Sequence, residues 1–347
     1  MGKKDTITKK YMKNPCVFAD VFNKFLYRGE RRIRPEQLRE LDTAEIAVPY
    51  GSERAVVPEQ KYRDILKLLM TDDSMAYCIL GVENQSDIHY AMPVRNLVYD
   101  AMQLAYQVSE TAASHRRKKA NGKEAATDGE SVKKPSGGEY LGGFYKTDRL
   151  IPVVTLVLFF SAKEWDGPLS LREMYVDADE TVMQFVPDYK VNLVAPYSMS
   201  EEEIAQFHTS FRELMLFIKY SGDKKKLQEI VMKDKHFHSM ERDVVDVINV
   251  VTDSKLTYSQ EEENVDMCKA ILDMRNESRQ EGRKEGYLQT LIGLVCKKMA
   301  KNNSVEEIAD MLEETPGTIQ RICDVAVKYA PEYDVERIYE ELVGEIF

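Results

Sequence analysis

The sequence predicts an α/β domain followed by an all-helical region, and three features carry that expectation. Residues 151–160 form an almost continuous run of β-branched and apolar side chains, the character of a buried central strand. Residues 92–108 repeat apolar side chains at helical spacing, and from Ser200 onward one helical pattern follows another. The chain's 347 residues allow two domains with cores of their own. Its 43% apolar and 31% charged content is that of a soluble globular protein. The longest apolar run, 153–160, is too short to cross a bilayer and no signal-peptide pattern opens the chain, so no membrane partner is expected. Five scattered cysteines without a Cys-x-x-Cys pair imply reduced thiols in a cytoplasmic protein rather than a disulfide framework or a zinc site. His236 and His238 read as surface residues.

In chain order, residues 14–28 predict the opening helix, with Val17, Val21, Phe22 and Phe25 on one face and Asp20 and Asn23 on another. A short strand is expected near 44–48. Two strand-like runs follow, one led by Tyr62-Arg63-Asp64 and the other ending in Gly81-Val82-Glu83-Asn84-Gln85. Strand side chains alternate in direction, so Glu83 and Gln85 share a face and Asp64 on the neighbouring strand converges with them. Two carboxylates at a sheet edge repel each other unless a divalent cation sits between them. Mg²⁺ suits oxygen ligands and keeps waters for chemistry. The arrangement reads as a metal-dependent phosphodiesterase site.

Within 92–108, Val94, Leu97, Val98, Ala101, Leu104, Ala105 and Val108 predict a core face, opposite the polar residues Asn96, Asp100, Gln103 and Gln107. Arg95, Tyr99, Met102 and Tyr106 form a stripe between them, with Met102 and Tyr106 expected to pack. Residues 109–139 lose this periodicity, and their basic, Gly- and Ser-rich composition predicts a flexible insertion over 110–140. Ser200 with Glu203 makes a capping box for a helix expected to run through Phe217. Helices are expected around 227–232, 244–251 and 265–274. Gly282 and Gly286 then interrupt a charged stretch, each costing about 1 kcal/mol in a helix interior, which predicts a weakened, exposed helix or a hinge. In the tail, Ser304 caps 305–312 and Pro316 opens 317–327, with Ile308, Ala309, Leu312, Ile319 and Ile322 on the apolar positions of a helix-turn-helix. Its second helix region offers only Arg321 and Lys328 as cations, so a hairpin for packing or self-association stands beside a DNA-reading one. The expected division is 1–220, a helical extension 221–275, and a helical C-terminal region 276–347.

The segment 79–100, Ile79-Leu80-Gly81-Val82-Glu83-Asn84-Gln85 through Asn96-Leu97-Val98-Tyr99-Asp100, resembles the Rpn family of recombination-promoting nucleases and putative transposases, within the PD-(D/E)XK nuclease superfamily. The resemblance continues upstream in Phe18-Ala19-Asp20-Val21-Phe22-Asn23 and Glu40-Leu41-Asp42. Downstream it resumes in Phe144-Tyr145-Lys146, Ile151-Pro152-Val153-Val154 and Glu164-Trp165-Asp166-Gly167-Pro168, covering most of 14–250. It implies a restriction-endonuclease-like core, a mixed central sheet flanked by helices, and Mg²⁺-dependent cleavage of DNA, with Mn²⁺ as a substitute. It makes Asp64 and Glu83 the metal-binding carboxylates and places Gln85 where the superfamily usually has Lys, which leaves a neutral hydrogen-bonding group in place of a charge. It also offers Asp20 as a third group near the metal, against a plain solvent-exposed helical Asp. Arg95 would reach a phosphate and Tyr99 would line the cleft, and Trp165 would mark a structural corner.

The net charge of −11 sits awkwardly with a nucleic-acid partner, whose affinity rests on cation–phosphate contacts. Many acids gather at 201–203, 261–263 and 306–314, which leaves room for a local basic surface and weak, strongly salt-dependent DNA binding. The residues therefore admit a nuclease, a catalytically degenerate DNA-binding or interaction module, and a homo-oligomer assembled through the C-terminal helices.

Overall fold

Glu83 lies inside a mixed five-stranded sheet with helices against it. A computed structural model of the protein describes residues 2–41, 44–47, 59–62, 64–120, 135–259 and 263–344. The chain divides into two units, Met1–Cys268 and Lys269–Phe347. In the first, helices α1 (Lys3–Met12) and α2 (Pro15–Tyr27) precede β1 (Leu38–Glu40), the hairpin β2 (Ala44–Ala47) and β3 (Glu59–Tyr62), and the strands β4 (Ile65–Met70) and β5 (Ala76–Gln85). Then come α3 (Met92–Ala120), α4 (Gly137–Gly142), β6 (Val153–Phe159), α5 (Glu180–Met183) and β7 (Asn192–Val194). Helices α6 (Glu201–Ile204), α7 (Phe211–Tyr220) and α8 (Lys224–Lys233) follow, with β8 (Met240–Glu241), α9 (Arg242–Thr252) and β9 (Asn264–Val265). Helix α10 (Met267–Met299) runs across the division, and α11 (Val305–Leu312), α12 (Pro316–Ala326) and α13 (Val335–Gly344) complete the second unit.

The sheet order is β1-β4-β5-β6-β7, antiparallel from β1 to β5 and parallel from β5 to β7. Strand β6 lies between two neighbours and buries Leu156, Val157, Leu158 and Phe159, as its apolar run predicts. Helix α2 covers one face of the sheet, where the Lys67 ammonium lies 5.2 Å from the centre of the Phe18 ring. Helix α3 covers the other, where Asp100 accepts a hydrogen bond from Thr155 on β6 at 2.7 Å. The second unit has its own core, built around Ile292, Val295, Ile308, Ile319, Ile322 and Ile338. Its α11–α12 turn has the expected helix-turn-helix spacing, and Glu313 takes the left-handed conformation (φ 55°) that a glycine more often supplies.

Several expectations change. Helix α1 has no counterpart in the sequence reading, because Ile7, Tyr11 and Met12 make too thin an apolar stripe to announce a helix. The helix beginning at Met92 does not stop near 108. It continues through the basic run to Ala120, where Ala112 is buried, His115 stacks on Tyr145 at 3.9 Å between ring centres, and His115 Nε2 lies 2.9 Å from Asp148. The expected insertion over 110–140 is thus helical at its start and again in α4, and 121–134 lie outside the described residues.

The faces of α3 are reversed relative to expectation. Val94, Leu97, Ala101, Ala105 and Tyr106 are exposed, while Asn96, Tyr99 and Gln103 are buried. The inward side has to match a polar stripe on the sheet: Arg95 meets Glu83, Asp100 meets Thr155 and Tyr189, and Gln107 bonds both ways with the Ile151 backbone. Periodicity located the helix, and the polarity of the opposing surface decided which side faces in.

The helix expected from Ser200 through Phe217 is broken into α6 and α7. The break lies at His208–Thr209, where the two backbone N–H groups donate to Asp20 Oδ2 at 2.8 Å each and the Thr209 hydroxyl donates to it at 2.7 Å. A carboxylate from α2 therefore satisfies donors that a continuous helix would have used itself. The glycines at 282 and 286 do not interrupt α10, which is helical through both and exposed at every residue from 275 to 287. No helix among the described residues is long and apolar enough to cross a membrane.

Candidate functional site

The antiparallel register pairs Ile65 with Val82, and extending it by one residue, into the bend before β4, sets Asp64 across from Glu83. Directly opposed residues of neighbouring strands point to the same face, so the two acids are cross-strand neighbours. Asp64 occupies the bend that leads into β4, and its Oδ2 accepts a hydrogen bond from the Asn84 backbone N–H at 2.8 Å. That bond fastens the carboxylate to the strand that carries Glu83.

Each acid has a cation of its own. Lys9 Nζ on α1 lies 2.8 Å from Asp64 Oδ1 and 3.3 Å from Asp5 Oδ2. Arg95 on α3 reaches Glu83 Oε2 at 3.1 Å and donates from Nε to the Tyr99 hydroxyl at 3.2 Å. Glu83 is 0% exposed. A carboxylate so deep in the sheet is tolerable only with a charged partner, and the Arg95 guanidinium is that partner. Burial raises the Asp64 pKa and outweighs the lowering by Lys9 and by the Asn84 N–H. Burial works against the Lys9 and Arg95 charges, but their carboxylate neighbours outweigh it and both groups titrate above their usual values. Burial, reinforced by the Glu83 charge, also raises Tyr99. Arg95 and Tyr99 both sense Asp64 as well as Glu83, so the four groups form one electrostatic cluster.

Gln85, two residues beyond Glu83, lines a cavity of about 30 Å³ with Lys4, Asp5, Thr8, Asn84, Ser86, Phe160 and Val251. That volume holds one water or one small ion. The side-chain amides of Asn84 and Asn96 are buried and have no hydrogen-bond partner among the described residues. Asn84 neighbours Glu83 in the chain and Asn96 neighbours Arg95. Buried amides left this way point to a polar occupant.

Asp64 and Glu83 offer oxygen donors, the type a hard divalent cation takes, and each already holds a side-chain cation, Lys9 on Asp64, shared with Asp5, and Arg95 on Glu83. The structure thus brings together Asp64, Glu83, Arg95 and Tyr99, with Gln85 at the adjoining cavity. Asp20 is not part of this group. It is 5% exposed, so it is not the solvent-facing alternative either, and its three hydrogen bonds hold the α6–α7 break. The residues missed in the sequence are Asp5 and Lys9. Their one signal is the i,i+4 spacing of an acid and a base in a short amphipathic stretch.

Among the described residues, the groups of three or more His, Cys, Asp or Glu side chains whose ligand atoms all lie within 4.8 Å of one another are Glu213, Asp234 and His236, and His238, Asp266 and Cys268; Asp5, Asp64 and Glu83 do not form such a group. The first is already bridged by Arg212, which bonds both Glu213 and Asp234. Trp165 packs edge-on against Phe159 at 5.1 Å, in keeping with a structural corner. No family model, curated protein or solved structure matches the chain.

Proposed function

We propose that the protein is a metal-dependent endonuclease that hydrolyses DNA phosphodiester bonds, linked to recombination or mobile elements, with its mixed sheet serving as a restriction-endonuclease-like core. The observation that carries this reading is the cross-strand placement of Asp64 and Glu83, each fastened in position, with Gln85 two residues on. The resemblance of 79–100 to the Rpn nucleases points to the same chemistry. Asp64 and Glu83 would hold Mg²⁺, or Mn²⁺ in its place, and such an ion would supply an activated water and offset charge on the phosphate oxygens. Gln85 orients water or phosphate by hydrogen bonding. Lys9 supplies the positive charge that Gln85 lacks, since its ammonium stands at the Asp64 carboxylate. Arg95 aims Glu83 through its hydrogen bond, and Tyr99 fixes the guanidinium through its hydroxyl.

A second reading is a catalytically degenerate DNA-binding or interaction module. The observation in its favour is that both carboxylates already have cations within the fold, Lys9 on Asp64 and Arg95 on Glu83. Cleavage of supercoiled plasmid by the wild type, Asp64→Ala and Lys9→Ala, with Mg²⁺, Mn²⁺ or EDTA, decides between them. The nuclease reading expects metal-dependent nicking that disappears in Asp64→Ala and slows about 100-fold in Lys9→Ala, the scale of losing one charge that stabilises a transition state. Equal traces of cutting from the wild type and Asp64→Ala overturn it. DNA binding without turnover in any metal moves the binding module to the front.

A further inference from the structure

Between residues 275 and 287, α10 is exposed at every position, and its charges fall into rows. Arg275, Arg279 and Arg283 form one row at i,i+4 spacing, and Glu277, Glu281 and Glu285 form another. At that spacing like charges repel, so within a single helix both rows are destabilising. None of the six makes an ion pair among the described residues. The stretch 275–287 of α10 is therefore an exposed face whose charge pattern disfavours standing alone.

On a helical projection the two rows flank a third, Ser278, Gly282 and Gly286. A Cβ at either glycine would meet nothing within 4 Å, so this side is open to close approach by another backbone. The Arg row lies on one side of it and the Glu row on the other. When two identical helices pair in parallel, one flank of the first meets the opposite flank of the second, as coiled-coil flanking charges do. Here that sets arginines against glutamates on both sides. An antiparallel pair would set Arg against Arg and Glu against Glu.

We propose that α10 is a self-association surface, which pairs in parallel with α10 of a second copy of this chain, the arginine row of each against the glutamate row of the other. The occupant follows from charge complementarity, because one surface carrying both rows in this order complements itself only in the parallel arrangement. The contact is isologous, as a two-fold dimer requires. Being exposed and ionic, it weakens with salt. The assembly does not depend on nuclease activity.

The test uses the full chain. Sedimentation equilibrium at about 20 mM and about 500 mM salt should give a dimer whose dissociation constant rises at least tenfold between the two. The triple variant R275E/R279E/R283E and the triple variant E277R/E281R/E285R should each be monomeric, with unchanged circular dichroism. An equimolar mixture of the two should restore a dimer, since every flank contact is then of opposite sign. In a Cys16→Ser background, Ser278→Cys alone should form a disulfide-linked dimer on mild oxidation, and so should Gly286→Cys alone. A wild type that stays monomeric at low salt overturns the proposal. So does a dimer indifferent to both triple variants, or cross-linking that appears only when Ser278→Cys and Gly286→Cys proteins are mixed, which marks an antiparallel pair.

Discussion

The Asp64–Glu83 pair and the charged rows of α10 place ionised groups in opposite circumstances. Within the sheet, Glu83 on the central strand is fully buried, and each carboxylate has a cation within about 3 Å, drawn from a different helix. On α10 like charges recur one turn apart with no ion-pair partner among the described residues. Charges neutralised inside a fold are costly to disturb and act by exchanging partners. Charges left open cost little to change in the isolated chain, and their effect shows only when something meets them.

The largest effect that separates the two regions comes from Glu83→Ala. Removing the buried carboxylate strands the Arg95 guanidinium, and the variant should lose about 3 kcal/mol of stability in urea unfolding, discounted for the partial exposure of Arg95. A loss below about 1 kcal/mol would mean that Arg95 swings into solvent and that the pair is not a structural unit. Asp20→Ala should follow at about 2 kcal/mol, because two backbone N–H groups and one hydroxyl lose a common acceptor at the α6–α7 break. It should leave any metal-dependent cleavage per folded molecule unchanged. Glu281→Ala, by contrast, should shift monomer stability by no more than about 0.5 kcal/mol.

The smallest effect is a pH dependence. Burial raises the Asp64 pKa above 3.8, so the folded protein holds that proton more tightly than the unfolded chain. The contribution is fully present below pH 3.8 and is lost as pH rises through the folded pKa. Asp64→Asn removes it, so the melting temperature of the variant relative to wild type should rise between pH 3.5 and neutrality. A flat difference across that window would show that Lys9 cancels the burial after all.

Much of this was legible in the sequence wherever local pattern and environment agree. The 151–160 run became a strand buried in the sheet, Glu83 and Gln85 lie on one strand, β5, and Ser200, Ser304 and Pro316 open the helices expected of them. What failed depended on a surface that lies far away in the chain. The polar side of α3 faces inward because Glu83 and Thr155 are there to meet it. The 200–217 helix breaks because Asp20, nearly two hundred residues earlier, captures its backbone donors. Asp20 was offered as a site residue by the resemblance alone, and its place as the acceptor at the α6–α7 break has no local signal. Lys9 went unnoticed because its meaning lies wholly in Asp64, 55 positions on.

Helix α1 also has consequences for the order in which the molecule can be assembled. It packs against α9 and is tied to it by Lys10 with Asp243 at 2.9 Å and Lys4 with Asp253 at 3.2 Å. During synthesis α1 leaves the ribosome before the strands of the sheet, but its docking partner follows more than two hundred residues later. Until α9 emerges, α1 has its contacts with α2 and β5 and the Lys9–Asp64 ion pair to hold it, and the Lys4 and Lys10 ties are made last. The final fastening of the helix that carries Lys9 therefore waits on residues 243 and 253, long after the strands that carry Asp64 and Glu83 have been made.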